Sequence, residues 1–305
     1  MQRRKFLQTL GAGAAGSFLA PLTALGADEV RLVLLHTNDT HSRIDPFPMD
    51  GGRNEGMGGA ARRATLVKQI RQQHQNVLLL DSGDIFQGTP YFNFFKGEIE
   101  FKTMSAMQYD VATLGNHDFD NGVNGLVSVL PHANFDFVSA NYDISNPSLK
   151  PHVQPHIIKQ VGPIKVGIFG LGIDFQSLVL PALHEGVVYN DPIPVAKQQV
   201  DALRNAGCHL VICLSHLGYR YRSDKVSDTD LAQLVPGIDF VFGGHTHSFL
   251  DAPDVYNNNM GSSVVNQVGF AGLRLGRADV VFKRSGEKER WYISEYPIDS
   301  RLDVA

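Results

Sequence analysis

Seven residues that could bind metal ions follow the ends of five short apolar segments. They are Asp39, His41, Asp84, Asn116, His216, His245 and His247. Carboxylate, imidazole and amide groups together suit divalent ions such as Zn, Mn, Fe, Co or Mg, and do not favour ions that prefer thiolate ligands. Two ions that share one carboxylate need about this number of protein ligands, with positions left for water and substrate.

The spacing of these residues supports a shared site. Asp39 and His41 are two residues apart, so that an extended loop can present both to the same side. His245 and His247 repeat this spacing. Gly115, like Gly83, Gly243 and Gly244, allows the backbone to turn tightly and to approach an ion.

Each of these clusters alone has an ordinary structural explanation. An Asp-x-His or Gly-Asn-His-Asp sequence is common in simple turns. The recurrence of such clusters after five apolar segments favours one metal site over five unrelated turns. The remaining histidines are interpreted as solvated or locally hydrogen-bonded, and they are His36, His74, His132, His152, His156, His184 and His209.

The apolar segments alternate with helical patterns, as is typical of an α/β sheet. Strands are predicted at 30–35, 77–80, 111–114, 210–214 and 238–242, and helices at 60–73, 98–108, 123–131, 195–206 and 229–234. Segments 156–160 and 164–170, and segments 275–283 and 290–296, are predicted to form hairpins. Helical crossovers make strands parallel, and open α/β sheets bind ligands beyond the carboxyl ends of their strands. We therefore expect the five clusters to meet at one edge.

The ordered motifs resemble those of the calcineurin-like metallophosphoesterases. More narrowly, T-N-D-T-H-S, G-G-A-A-R-R-A-T, D-S-G-D-I-F-Q-G-T-P and G-N-H-D-F-D are similar to motifs of the 5'-nucleotidase branch. The resemblance covers about residues 30–285. It implies an α/β fold, namely a four-layer αββα sandwich of two mixed β-sheets flanked by helices.

The resemblance also implies roles for individual residues. One divalent ion would be held by Asp39, His41, Asp84 and His247, and the other by Asp84, Asn116, His216 and His245, so that Asp84 bridges them. His117 would donate a proton or stabilise the charge of the transition state, oriented by Asp120, with the alternative that His117 is a further ligand. His247 stands where many members have glutamine, and Asp118 stands where glutamate is common and is expected to support the ligands.

The resemblance implies a metal-dependent phosphohydrolase that acts on a phosphate ester, with a nucleotide favoured. There are three alternatives: a cyclic-nucleotide phosphodiesterase, the catalytic half of a split nucleotidase that needs a separate nucleotide-binding subunit, and a non-catalytic metal-binding protein. Arg62, Arg63, Arg220 and Arg222 could contact phosphate, although solvated or helix-surface positions are favoured. Four aromatic residues after Asp84 are expected mainly to pack, and they are Tyr91, Phe92, Phe94 and Phe95.

The net charge of the chain limits its binding partners, and the N-terminal segment indicates where the protein is located. The net charge of −4 and the pI of about 6.3 argue against binding to duplex nucleic acid. Residues 1–27 carry Arg3, Arg4 and Lys5 near the start and continue through an Ala/Gly/Leu stretch. This layout resembles a twin-arginine-type signal peptide. The alternative is a basic disordered N-terminus. The expected organisation is export of a 28–305 metallophosphoesterase domain, without the usual C-terminal nucleotide-binding domain, to the periplasm or cell exterior. No membrane span is predicted.

Overall fold

The computed structural model describes residues 25–26 and 28–303, so the predicted signal segment 1–27 lies almost entirely outside the described residues. The strands, in chain order, are β1 (Glu29–Thr37), β2 (Val77–Asp81), β3 (Val111–Thr113), β4 (Asp136–Val138), β5 (Tyr142–Ile144), β6 (Val153–Gln154), β7 (His156–Val161), β8 (Ile164–Leu171), β9 (Val187–Tyr189), β10 (Leu210–Ser215), β11 (Phe240–Phe242), β12 (Asp254–Asn258), β13 (Gly261–Asn266), β14 (Arg274–Lys283) and β15 (Lys288–Pro297). The α-helices are α1 (Ala60–Gln73), α2 (Pro90–Phe95), α3 (Glu98–Ala106), α4 (Gly122–Val129), α5 (Pro192–Asn205) and α6 (Asp228–Leu234).

The strands form two large sheets and one small one. The first sheet has the order β15-β14-β1-β2-β3-β4-β6, and the second has the order β12-β13-β11-β10-β8-β7. β1 to β4 run parallel in the first sheet, as do β8, β10, β11 and β13 in the second. β14, β15, β7 and β12 add antiparallel pairs, so both sheets are mixed. β5 and β9 form a separate antiparallel pair.

Side-chain alternation along the strands separates the molecule into layers. Leu32 and Leu34 of β1 lie in a core between the two sheets, where they share a cluster with Ile212 of β10. Val33 and Leu35 belong to a second core, beneath α1, α3 and α4. A third core lies between the second sheet and helices α5 and α6. Because strand residues alternate between faces, this arrangement requires four layers, and the predicted αββα sandwich is confirmed.

The differences from the predicted elements have local causes. α5 begins at Pro192 and not at 195, because proline needs no N–H partner in the first turn and the Asp191 side chain accepts a hydrogen bond from the Ile193 N–H at 3.0 Å. α2 was not predicted, since it has only six residues. Within α2, Phe92 is buried, whereas Phe94 is 79% exposed and does not pack as expected.

Among the described residues, no helix combines the length and apolarity needed to cross a lipid bilayer.

Candidate metal centre

The predicted ligands converge because each follows a parallel strand. Asp39, Asp84 and Asn116 follow β1, β2 and β3 of the first sheet, and the two groups of histidines follow β10 and β11 of the second. Parallel strands end at a common edge, and the stacked sheets bring their edges together. The structure thus gathers all seven predicted residues at one place.

The loops that carry these residues are held in an uncommon backbone conformation. Asp39, His41, Asp84, His245 and His247 have φ values of 49°, 48°, 55°, 71° and 52°. A left-handed conformation is unfavourable for a residue with a Cβ, so it persists only where the surrounding contacts impose it. The surrounding contacts therefore fix the direction of these side chains, as is common at functional sites.

Three residues form a first group of potential ligands: Asp39, His41 and His247. The Nε2 atoms of His41 and His247 lie 2.9 Å apart. Asp39 Oδ1 is 3.3 Å from His247 Nε2 and 3.9 Å from His41 Nε2. The carboxylate of Asp39 accepts a hydrogen bond from the His245 N–H at 3.0 Å, which ties this group to the next one.

Asp84, His216 and His245 form a second group. Asp84 Oδ2 lies 3.1 Å from His216 Nε2 and 4.0 Å from His41 Nε2 of the first group. Asn116 joins this group, since its Oδ1 is 3.0 Å from His245 Nδ1. Asp84 is thus positioned between the two groups, as expected of a bridging carboxylate.

The donor atoms are placed to bind metal ions rather than to form hydrogen bonds with one another. His216 is fully buried, and its Nδ1 lies 2.7 Å from the Ser82 carbonyl oxygen, to which it donates. Its Nε2 faces Asp84 without forming a hydrogen bond of good geometry. Metal-binding histidines are typically anchored in this way, with one ring nitrogen on a backbone carbonyl and the other free. His41 repeats the pattern, since its Nδ1 is 3.2 Å from the Phe86 carbonyl oxygen.

The electrostatics of the site favour a bound positive charge. Burial opposes ionisation of both Asp84 and His216, but their mutual attraction prevails, lowering the pKa of Asp84 and raising the pKa of His216 to about 10. Burial, reinforced by the charge on His216, lowers the pKa of His245 to about 3. Burial also lowers the pKa of His41. The imidazoles of His245 and His41 are therefore neutral at physiological pH, whereas His216 holds a proton that a metal ion would have to displace.

His117 and Asp120 lie beside the two groups. His117 Nδ1 is 2.8 Å from Asp120 Oδ2, and its ring centroid is 5.3 Å from that of His41. The hydrogen bond to Asp120, followed by the charge on Asp84, raises the pKa of His117. The His117 backbone N–H donates to Asp84 Oδ1 at 2.8 Å. His117 is therefore placed as an oriented, protonatable group at the edge of the site.

Asp118, expected to support the ligands, holds the Asp84 loop through backbone hydrogen bonds. Its carboxylate accepts from the N–H groups of Asp84, Ile85, Phe86 and Gly115 at 2.8 to 3.2 Å. A second supporting residue, Gln267, was missed by the sequence analysis. It is fully buried, and its amide contacts the Gly244 carbonyl, the Thr246 hydroxyl and the Ser248 N–H. It lies in no motif, so only the tertiary contact identifies it.

The arginines do not converge on the site. Arg62 pairs with Asp303, and Arg220 pairs with Asp254. Arg222 is exposed. Arg63 is 3% exposed, so the expectation of a solvated or helix-surface position is wrong for this residue, because its side chain points from α1 towards the core.

Comparisons with known proteins agree with this geometry. A family model for calcineurin-like phosphoesterase matches residues 32–249. The chain is 38% identical over 291 residues to the snake venom 5'-nucleotidase of Crotalus adamanteus, covering 88% of this chain and 48% of that protein. It is 39% identical over 248 residues to the 5'-nucleotidase of Homo sapiens, covering 78% and 41%.

The three-dimensional fold is also similar to that of a solved 5'-nucleotidase structure. A crystal structure of a 5'-nucleotidase precursor from Thermus thermophilus superposes with a TM-score of 0.80 at 32% identity, covering 90% of this chain and 55% of that one. The chain thus spans about half the length of the relatives it matches. It belongs to the calcineurin-like phosphoesterases, metal-dependent phosphoric ester hydrolases, and its relatives within that family are 5'-nucleotidases.

Proposed function

We propose that this chain is a dinuclear-metal phosphohydrolase that releases phosphate from nucleotide monoesters. The observation that carries the proposal is the position of Asp84, whose Oδ2 lies 3.1 Å from His216 in one group of potential ligands and 4.0 Å from His41 in the other. One carboxylate between two sets of imidazole and oxygen donors is the arrangement that two divalent cations require.

The two groups support the proposed ligand assignment. One ion would be held by Asp39, His41, Asp84 and His247, and the other by Asp84, Asn116, His216 and His245. The mixture of imidazole and oxygen donors suits Zn, Mn, Fe or Co. When bound, such ions neutralise the ester oxygens and lower the pKa of water, so that a nucleophile is present near neutral pH.

The chain's own residues supply proton transfer and orientation. Since Asp120 occupies Nδ1 of His117, Nε2 is the nitrogen left to donate a proton to the departing alkoxide or to stabilise charge on the phosphoryl group. The raised pKa of His117 favours the protonated form that this role needs.

A panel of phosphate esters tests this function. Nucleoside 5'-monophosphates, a cyclic nucleotide and a simple diester are assayed with added Mn, Zn, Co or Mg and with a chelator. We expect chelator-sensitive release of phosphate from the 5'-monophosphates, abolition in Asp84→Ala, and unchanged activity in the matched control Asp143→Ala, which alters an exposed carboxylate. A folded, metal-loaded protein that is inert towards all of these esters would refute the proposal.

We also propose that residues 1–27 direct export through the twin-arginine route and that residues 28–305 form the catalytic domain in the periplasm or outside the cell. The support is the Arg3-Arg4-Lys5 segment followed by a weakly apolar stretch. In a host with this export route, we expect Arg3→Lys with Arg4→Lys to retain the protein in the cytoplasm, while the matched change Lys5→Arg leaves export intact. Export of the double variant at the normal rate would exclude the twin-arginine route.

Recognition of the nucleotide base is a separate question, because the chain spans about half the length of its nucleotidase relatives. We propose that a separate nucleotide-binding subunit raises the activity of this chain on nucleotides. Purification from the native host should then yield a partner whose removal raises the KM for nucleotides but not for a small aryl phosphate. Full nucleotide selectivity of this chain alone would remove the need for such a subunit.

A further inference from the structure

His247 is held differently from His41 and His216. The Nδ1 atoms of His41 and His216 lie 3.2 and 2.7 Å from backbone carbonyl oxygens, which fixes the plane of each ring. Within the described part of the chain, the polar contacts of the His247 ring involve Nε2, and no hydrogen bond reaches its Nδ1. The His247 side chain is also 40% exposed, against 13% for His41 and 0% for His216. Neither a hydrogen bond to Nδ1 nor deep burial therefore orients this ring.

The torsional preferences of the side chain do not orient the His247 ring either. Rotation of an imidazole about its bond to Cβ has broad minima, because this bond joins an sp³ carbon to an sp² carbon. Yet Nε2 of His247 lies 2.9 Å from His41 Nε2 and 3.3 Å from Asp39 Oδ1, so the ring must keep one plane for the three donor atoms to face a common point. Another contact must therefore hold the ring.

The face of Phe270 provides this contact. Its ring is stacked on the His247 ring, with 5.1 Å between the centroids and 14° between the planes. Offset stacking of this kind is a favoured arrangement of aromatic rings. Rotation of the imidazole would bring one of its edges into the phenyl face and lift the other edge away, so that close contacts are lost. The stack therefore resists rotation of the His247 ring.

Phe270 is itself held by its neighbours. Phe249 packs against it, with 6.0 Å between the ring centroids and 68° between the planes. The Phe249 ring lies directly on the backbone of Gly269, where an added Cβ would come within 2.0 Å of Cε1. The guanidinium carbon of Arg274, which pairs with Glu295, lies 4.7 Å from the centroid of the Phe249 ring. The position of Phe270 is thus fixed from behind by a second aromatic ring.

The backbone on either side of Phe270 is bonded to both loops of the first ligand group. The Gly269 N–H donates to the Ser248 carbonyl oxygen at 2.9 Å. The Ala271 N–H donates to the Asp39 carbonyl oxygen at 2.6 Å. Phe270 is therefore fixed relative to the two loops that carry the potential ligands.

We propose that Phe270, supported by Phe249, is a positioning residue that sets the plane of the His247 imidazole and thereby directs its Nε2 towards the first ligand group. A flat apolar face here replaces the carbonyl oxygens that anchor His41 and His216. The effect on metal binding rests on the proposed function, whereas the orientation of the ring does not.

Crystal structures of metal-free variants test the orientation directly. Phe270→Leu keeps an apolar side chain but loses the flat face, and Phe270→Tyr keeps the face and adds a hydroxyl to a ring that is partly exposed. We expect the His247 ring to rotate or to occupy several orientations in Phe270→Leu, and to keep the wild-type orientation in Phe270→Tyr. The His41 ring should stay in place in both. An unchanged His247 ring in Phe270→Leu, or a displaced one in Phe270→Tyr, would overturn the proposal.

Manganese binding, measured by calorimetry, tests the consequence for the ligands. We expect Phe270→Leu to weaken one of two manganese ions about tenfold, as is typical when a residue that supports a ligand is removed. Phe270→Tyr, which retains the stack, should bind within about threefold of the wild type. Urea unfolding checks that each variant is folded. The matched control is Phe94→Leu, which alters an aromatic residue that is 79% exposed and should leave manganese binding unchanged.

A double-mutant cycle with His247→Ala separates positioning from a general effect on packing. If Phe270 acts through His247, then Phe270→Leu should change manganese affinity by less than about twofold once the imidazole is absent. Losses that add in the double variant, or wild-type affinity in Phe270→Leu, would refute the positioning role. A wild-type protein that binds no manganese would refute the proposed function instead, and the crystal structures would still decide the orientation of the ring.

Discussion

Gly115 offers the sharpest test of how the site is built. Its φ is not left-handed, so alanine is compatible with the backbone there. A Cβ at this position would lie 2.2 Å from Asp84 Oδ1 and 2.5 Å from the Asp84 nitrogen. To reach the 3.0 Å that real Cβ contacts require, the carboxylate oxygen must move by about 0.8 Å. Since metal ligation tolerates errors of only about 0.2 Å in ligand distance, Gly115→Ala should displace the bridging carboxylate beyond its working range.

We expect Gly115→Ala to lower kcat/KM on the order of 100-fold, the loss associated with a misplacement of about 1 Å. Overpacking should also lower the free energy of unfolding by about 1–3 kcal/mol. Activity, metal content and urea unfolding are measured side by side. The control is Gly52→Ala in an exposed loop, where the nearest atom to the added Cβ is Asp50 Oδ1 at 2.9 Å, the end of a side chain that can rotate away. Wild-type activity and metal content in Gly115→Ala would show that the position of Asp84 does not control the site.

Four further predictions concern charge and ligand type. His117→Ala should lower kcat by about 100- to 10,000-fold with metal content unchanged, and loss of metal would instead identify His117 as a ligand. Asp120→Asn should lower the pKa of His117 and move the alkaline limb of the kcat/KM profile to lower pH. His247→Gln, which replaces an imidazole nitrogen by a harder amide oxygen, should shift the activating metal from Zn towards Mn or Mg in a metal panel, and an unchanged ranking would exclude His247 as a ligand. Burial raises the pKa of Asp81 to about 7, so the folded state holds this proton more tightly than the unfolded chain and loses stability as pH rises from about 4 to 7. Asp81→Asn should therefore increase the free energy of unfolding more at pH 8 than at pH 5, by on the order of 2 kcal/mol, when unfolding by urea is measured with a chelator present. An equal effect at both pH values would contradict a buried ionised carboxylate.

Much of the architecture could be predicted because its signals are local. The apolar segments that become β1, β2 and β10 have the side-chain types of buried strands, and the periodicity of 60–73 matches α1 residue for residue. Polar clusters at the ends of such strands predict a shared site, because parallel strands end at one edge. The short helix α2 and the early start of α5 were missed, since six residues are too few for a periodic pattern and the start of α5 depends on the Asp191 cap.

Residue types and spacing alone identified the potential ligands and an α/β sheet, since ligand chemistry belongs to each side chain and strand periodicity belongs to each segment. The four-layer αββα sandwich was implied by the resemblance of the motifs to a known family. The resemblance implied how the ligands are divided, and only the tertiary structure gave the distances that place Asp84 between His216 and His41. The tertiary structure alone also showed which distant residues hold the ligand loops, such as Gln267. It also showed that Arg63 is buried, although the sequence favoured a solvated or helix-surface position. These features arise from contacts between segments far apart in the chain, and the energy of such contacts depends on distance and burial, which no local pattern encodes.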